Sequence, residues 1–86
     1  MELYEILIHP VISEKAVNLI ESSNKITFRV NRNATASDVK KAMEEVYKVK
    51  VVKINMLNDT KGNKKAIIKL DAKFKASELS SKLGMV

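Results

Sequence analysis

The stretch KITFRVNRNATASDVKKAMEEVY, Lys25–Tyr47, reads as a strand, a short loop and a capped helix in direct succession. Ile26, Phe28 and Val30 alternate with Lys25, Thr27, Arg29 and Asn31, the two-residue period of a strand with one buried face and one polar, basic face. Thr35-Ala36-Ser37-Asp38 then forms a capping-box pattern, with Asp in place of the usual Glu. Val39, Ala42, Met43, Val46 and Tyr47 follow at helical spacing, while Lys40, Lys41, Glu44, Glu45 and Lys48 take the other side. A half-buried strand followed by an amphipathic helix points to the α+β class.

Working outward, Leu3–Ile8 is expected to form a short strand that Pro10 ends. Ser13 is a suitable N-cap for a helix running to about Ser22, with Ala16, Val17 and Ile20 on one side and Ser22-Ser23-Asn24 as the turn out. Beyond the central stretch, Val49–Leu57 and Lys64–Leu70 read as two strands joined by a short, turn-rich segment, Asn58–Asn63. Ala76, Leu79 and Leu83 suit a closing helix with Gly84 at its C′ position. The expected order is β-α-β-α-β-β-α, an antiparallel sheet with helices packed on it, ferredoxin-like, with the strand order left open. At 86 residues the chain is expected to form a single domain, 1–86, around one modest core.

Composition narrows the function. Without Cys the chain has no disulfide, zinc-knuckle or thiol chemistry. No apolar run approaches the ~20 residues of a membrane span, so no membrane insertion is expected. The opening MELYEILIHP lacks the basic start of a signal peptide, which leads us to expect an intracellular protein made without processing. Fourteen of sixteen Lys and Arg but only five of ten Asp and Glu lie between Lys25 and Lys75. That span carries a formal +9 against −3 for residues 1–24, and the whole chain carries +6. Such segregation points to a phosphate-rich partner for the middle and a different partner for the acidic end.

Catalysis finds little support, and no enzyme activity, cofactor, metal or small-molecule substrate is expected. His9 is the only histidine and sits against Pro10 at a turn. Glu44 and Glu45 are adjacent, so they point about 100° apart on a helix and do not bracket a substrate. Asp59–Lys64 lacks the glycine spacing of a phosphate-cradling loop. Base stacking on exposed sheet aromatics is also disfavoured, because Phe28 shares the core face with Ile26 and Val30. Contacts to nucleic acid are therefore expected to run mainly through phosphate and sugar. The candidate contacts are Lys25, Arg29, Arg32, Asn33, Lys40, Lys41, Lys48, Lys50, Lys53, Asn55, Lys61, Lys64 and Lys65.

Three ordered blocks resemble the large-subunit ribosomal protein L23 family. His9-Pro10-Val11-Ile12-Ser13-Glu14-Lys15-Ala16 is similar to its His-Pro-x-x-Ser/Thr-Glu-Lys-Ala opening. Val30–Thr35 with Val39-Lys40-Lys41-Ala42 resembles its second block, and Val46–Asn55 the block after that. The resemblance runs from about Ile8 to Gly84. It implies binding to large-subunit rRNA beside the exit of the nascent-peptide tunnel, in cytoplasmic ribosomes, with ribosomal protein L29 as neighbour. It also implies a docking platform for signal recognition particle, the translocon or, in bacteria, trigger factor.

Carried over by position, Glu14 is the implied factor-docking residue, although an acid there also suits the helix dipole. Lys15 and Thr35 become implied rRNA contacts. Two positions depart from the family pattern: Ala36 stands where Lys is frequent, and Met56 where Thr usually follows the Asn. Asn58–Asn63 leaves no room for the long basic extension of bacterial members, so the likeness is to the archaeal short form, which does not line the tunnel interior. Two other classes are carried as rivals, a ferredoxin-like protein-interaction or regulatory module without RNA and a non-specific DNA binder, and charge alone also leaves open a solvated Lys-rich surface with no partner.

Overall fold

The computed structural model describes residues 2–59 and 61–84. The central stretch folds as its alternation dictates. Lys25–Val30 form strand β2, and Ile26, Phe28 and Val30 are buried on one face. Ala36–Val46 form helix α3, whose Val39, Ala42 and Met43 lie in the same core. The Thr35 hydroxyl accepts from the Asp38 N–H at 3.2 Å, and the Asp38 carboxylate accepts from the Thr35 N–H at 3.0 Å. This closes the capping box that the sequence announces. Val46, expected on the buried side, is 47% exposed, while Tyr47 beside it packs on Phe28.

Ahead of β2 run α1 (Leu3–Ile6), strand β1 (Leu7–Pro10) and α2 (Glu14–Ser23). The expectation of a strand over residues 3–8 is corrected: the strand begins at Leu7, and one helical turn precedes it. The Glu2 and Glu5 N–H groups are satisfied by Glu5 carboxylate and Glu2 carbonyl oxygens, at 3.4 and 2.9 Å, and the turn sends Ile6 into the core. A short apolar run carries no period that separates a turn of helix from a strand. After α3 come β3 (Val51–Asn58), β4 (Lys64–Leu70) and α4 (Ala76–Lys82). Gly84 has φ +74°, the left-handed C′ residue expected there.

The strand order, open from sequence, is β1-β2-β4-β3, with every neighbouring pair antiparallel. The α+β class and the order β-α-β-α-β-β-α hold, with α1 as an additional turn. The ferredoxin-like character lies in the layering, one antiparallel sheet carrying helices. The connection order is distinct from the β-α-β-β-α-β of that motif.

One face of the sheet is covered: Ile26, Phe28, Ala66, Ile68 and Leu70 meet α3, α4 and Ile20 of α2 in one cluster. The Glu44 carboxylate accepts from the Val51 N–H at 3.2 Å and ties α3 to β3. Phe28 and Tyr47 meet with ring centroids 5.8 Å apart.

Asp38 and Asp59 give the fold an acid limb. The Thr35 N–H holds the Asp38 carboxyl below its ordinary value, and the N–H groups of Asn63 and Lys61 do the same for Asp59. A depressed carboxylate stabilises the fold while ionised, so its contribution is present at neutral pH and lost as pH falls through the folded value. The urea midpoint is therefore expected to drop between about pH 5 and pH 2. Asp38→Asn should flatten that slope; an unchanged slope would remove the capping box from the cause.

Candidate nucleic-acid interface

The second face of the sheet is the place where the basic residues converge. Register puts Lys25 of β2 opposite Lys69 of β4, and Lys69 opposite Lys53 of β3. Three ammonium groups therefore stand in one row across three strands. One step along lie Thr27, Ile67 and Asn55; a further step brings Arg29, Lys65 and Leu57, with His9 of β1 beside Arg29. Directly opposed residues sit roughly 4.5–5.5 Å apart at Cβ, and like charges in such pairs are destabilising. β2, β3 and β4 contain no Asp or Glu to relieve them. The face is thus built at a cost that a bound polyanion would reverse.

A shallow concavity of about 410 Å³ continues this face at the hairpin end, lined by Arg29, Arg32, Asn33, Lys61 and Asn63 among others. Its floor is organised. The Arg29 guanidinium donates to the Asn63 side-chain oxygen, and Lys64 Nζ donates to the Ala34 carbonyl at 2.9 Å. The Asp59 carboxylate accepts from the Lys61 and Asn63 N–H groups at 2.8 and 2.9 Å, which sets the hairpin end. Gly62, with φ +80°, takes the left-handed position there. Thr60 lies outside the described residues.

The remaining candidates are distributed differently. Lys40 and Lys41 are exposed on α3, which packs on the covered face, so they sit in the helical layer and not on the open face. Lys48 and Lys50 follow α3; Lys48 has φ +57° and borders a second concavity with Lys73, Lys75 and Lys82. Thr35 is engaged in the cap. Lys15 lies on α2 and reaches a groove that it shares with Lys65. Lys25, Arg29, Lys53, Asn55 and Lys65 share the open face, and Arg32, Asn33 and Lys61 line the concavity that extends it; Lys64, in register with buried Val30, belongs to the covered side.

Lys69 belongs to that face and was not among the candidates, although its alternation with Ile68 and Leu70 signals the same side as Lys65. Asn63 was missed because nothing local shows that it meets Arg29, thirty-four residues away.

Glu14 is exposed at the first turn of α2, where the Ser13 hydroxyl accepts from the Ala16 N–H at 3.1 Å. Two residues before it, Ile12 is 64% exposed. This end offers apolar surface and an acid, unlike the lysine rows. Among the described residues no group of His, Asp and Glu side chains is arranged to hold a metal ion, and no helix is long and apolar enough to cross a membrane.

Comparison with known proteins agrees with this geometry. The family model for Ribosomal protein L23 matches residues 5–77. The large ribosomal subunit protein uL23 of Methanococcus aeolicus is 41% identical over 85 residues, covering 99% of this chain and 99% of that protein.

Proposed function

The chain belongs to the Ribosomal protein L23 family, and from that membership we propose that large-subunit rRNA is laid across the open face of its sheet. As a member of this family it is a structural constituent of the large ribosomal subunit, located in cytoplasmic ribosomes, and not an enzyme. The observation that carries the proposal is the row Lys25–Lys69–Lys53, continued by Arg29 and Lys65, on three strands without an acid. Phosphates spaced along folded RNA neutralise such rows and release counterions. Recognition then reads the shape of the RNA more than its sequence.

Position beside the tunnel exit, with ribosomal protein L29 as neighbour, is part of the same proposal. The short β3–β4 connection supports a chain that stays outside the tunnel. Signal recognition particle and the translocon would dock at the Glu14 end, where exposed Ile12 precedes the acid. Glu14→Ala is expected to leave rRNA affinity within about twofold and to weaken factor docking by up to about fivefold, the scale of one exposed ion pair. A loss of rRNA binding would refute the assignment.

The test of the whole reading is competition. The chain is titrated with a large-subunit rRNA transcript, tRNA and duplex DNA across a salt series. Preference for the rRNA transcript at every salt concentration supports it. Equal affinity for all three would sink it in favour of non-specific binding, and indifference to RNA in favour of a protein-interaction module.

A further inference from the structure

A groove of about 130 Å³ crosses the open face between α2 and the sheet. Its walls are aliphatic: Val11, Ala16, Leu19, Leu57 and Ile67. Thr27 also lines it, is 6% exposed, and its hydroxyl oxygen is buried without a hydrogen-bond partner. A buried hydroxyl left unpaired is destabilising, and such groups are rare enough to require a cause. Lys15 and Lys65 stand at the same groove, and Arg29 pairs with Lys65 in register beyond it.

We propose that this groove receives one unstacked nucleobase of the bound RNA, an inference that rests on the rRNA-binding reading. An occupant must satisfy three features together. It needs a flat or compact apolar body for the aliphatic walls, a polar edge for the Thr27 hydroxyl, and negative charge on both flanks for Lys15 and Lys65. A nucleobase with its two flanking phosphates has all three. An aliphatic side chain from a protein partner fills the walls but leaves Thr27 unpaired and both lysines unused. On binding, Lys15 and Lys65 turn to the phosphates on either side, and Thr27 rotates about χ1 to bring its hydroxyl, closed off in the free chain, to the base edge. The base is held between side chains rather than stacked on an aromatic, in keeping with a groove lined by no ring.

The test uses the full chain and a large-subunit rRNA transcript, probed with reagents that together report the Watson–Crick edges of all four bases. The wild type should protect an unpaired base. Thr27→Val and Leu57→Gln, both neutral and the second at a 48% exposed position, should restore its reactivity and weaken binding about fivefold, the worth of one hydrogen bond. The salt slope should stay the same, because no lysine is changed. Thr27→Val should not lower the melting temperature, since it removes an unpaired hydroxyl; a purely structural hydroxyl would lower it and leave the base pattern alone. If both variants protect the same bases as the wild type, the inference is overturned while rRNA binding stands. If groove variants keep RNA protection but lose a protein partner, it is overturned in favour of a peptide occupant. If the wild type shows no preference for the rRNA transcript, the underlying reading fails and this inference with it.

Discussion

Replacing Lys25, Lys53 and Lys69 together by Gln is expected to weaken rRNA binding roughly hundredfold near physiological salt and to lower the salt slope by about two to three. Each lysine that neutralises a phosphate contributes a slope of about 0.7–0.9, and the three stand in one register row on the open face. The same change should leave the melting temperature unchanged or raise it, because it removes like-charge neighbours from adjacent strands. That opposition is diagnostic: surface lysines with no ligand would show the stability gain alone. Lys40 and Lys41, replaced by Gln as a pair, provide the control in the helical layer, and the loss per lysine should be the smaller. A larger loss per lysine from that pair would move the interface to the helices.

Asn24→Ala is expected to destabilise the protein by about 3–4 kcal/mol, one of the largest costs for any residue outside the hydrophobic cluster. Asn24 sits between α2 and β2 with φ +53°, a conformation that Asn tolerates and Ala does not. Its side-chain N–H groups donate to the carbonyls of Phe74 and Leu70 at 3.0 and 3.1 Å, and its carbonyl oxygen accepts from the Ala76 N–H at 2.7 Å. The Leu70 N–H also donates to the Asn24 backbone carbonyl at 3.1 Å. One residue therefore joins the α2–β2 corner to the end of β4 and the start of α4, whose Lys75 N-cap supplies no side-chain cap of its own. Asn24→Gly keeps the backbone conformation and loses the hydrogen bonds, so urea unfolding of both variants separates the two contributions. Loss below about 1 kcal/mol in both would show that water replaces the side chain.

The legible and illegible parts of this chain divide along the reach of the interactions. The β2 alternation, the Thr35–Asp38 cap, the Ser13 cap and the Gly84 terminus are local chemistry, and each is where the residues place it. Asn24 reads as an ordinary turn residue because its partners lie about fifty residues away. The lysine row was half visible: alternation gives each strand its face, but only the order β1-β2-β4-β3 sets Lys25 beside Lys69 and Lys69 beside Lys53. The same order sends Lys40 and Lys41 to the other layer, which a count of charges cannot separate from the open face. Glu14 and Lys15 were assigned through the family likeness alone, and the Thr27 groove was invisible until α2 was laid beside the sheet.

The two edges of the sheet carry a consequence for the protein before it joins any assembly. A free strand edge offers unpaired N–H and C=O groups to any other extended chain and invites aggregation. Here one edge, β1, is only Leu7–Pro10 and ends in a residue with no N–H to donate. The other, β3, is eight residues long, but a register irregularity lies between Val51 and Lys53 and a lysine occupies its exposed course. A short edge closed by proline and a long edge broken by a bulge and a charge both resist strand addition. The lysines proposed to meet RNA would thus also disfavour edge-to-edge pairing between free copies of the chain.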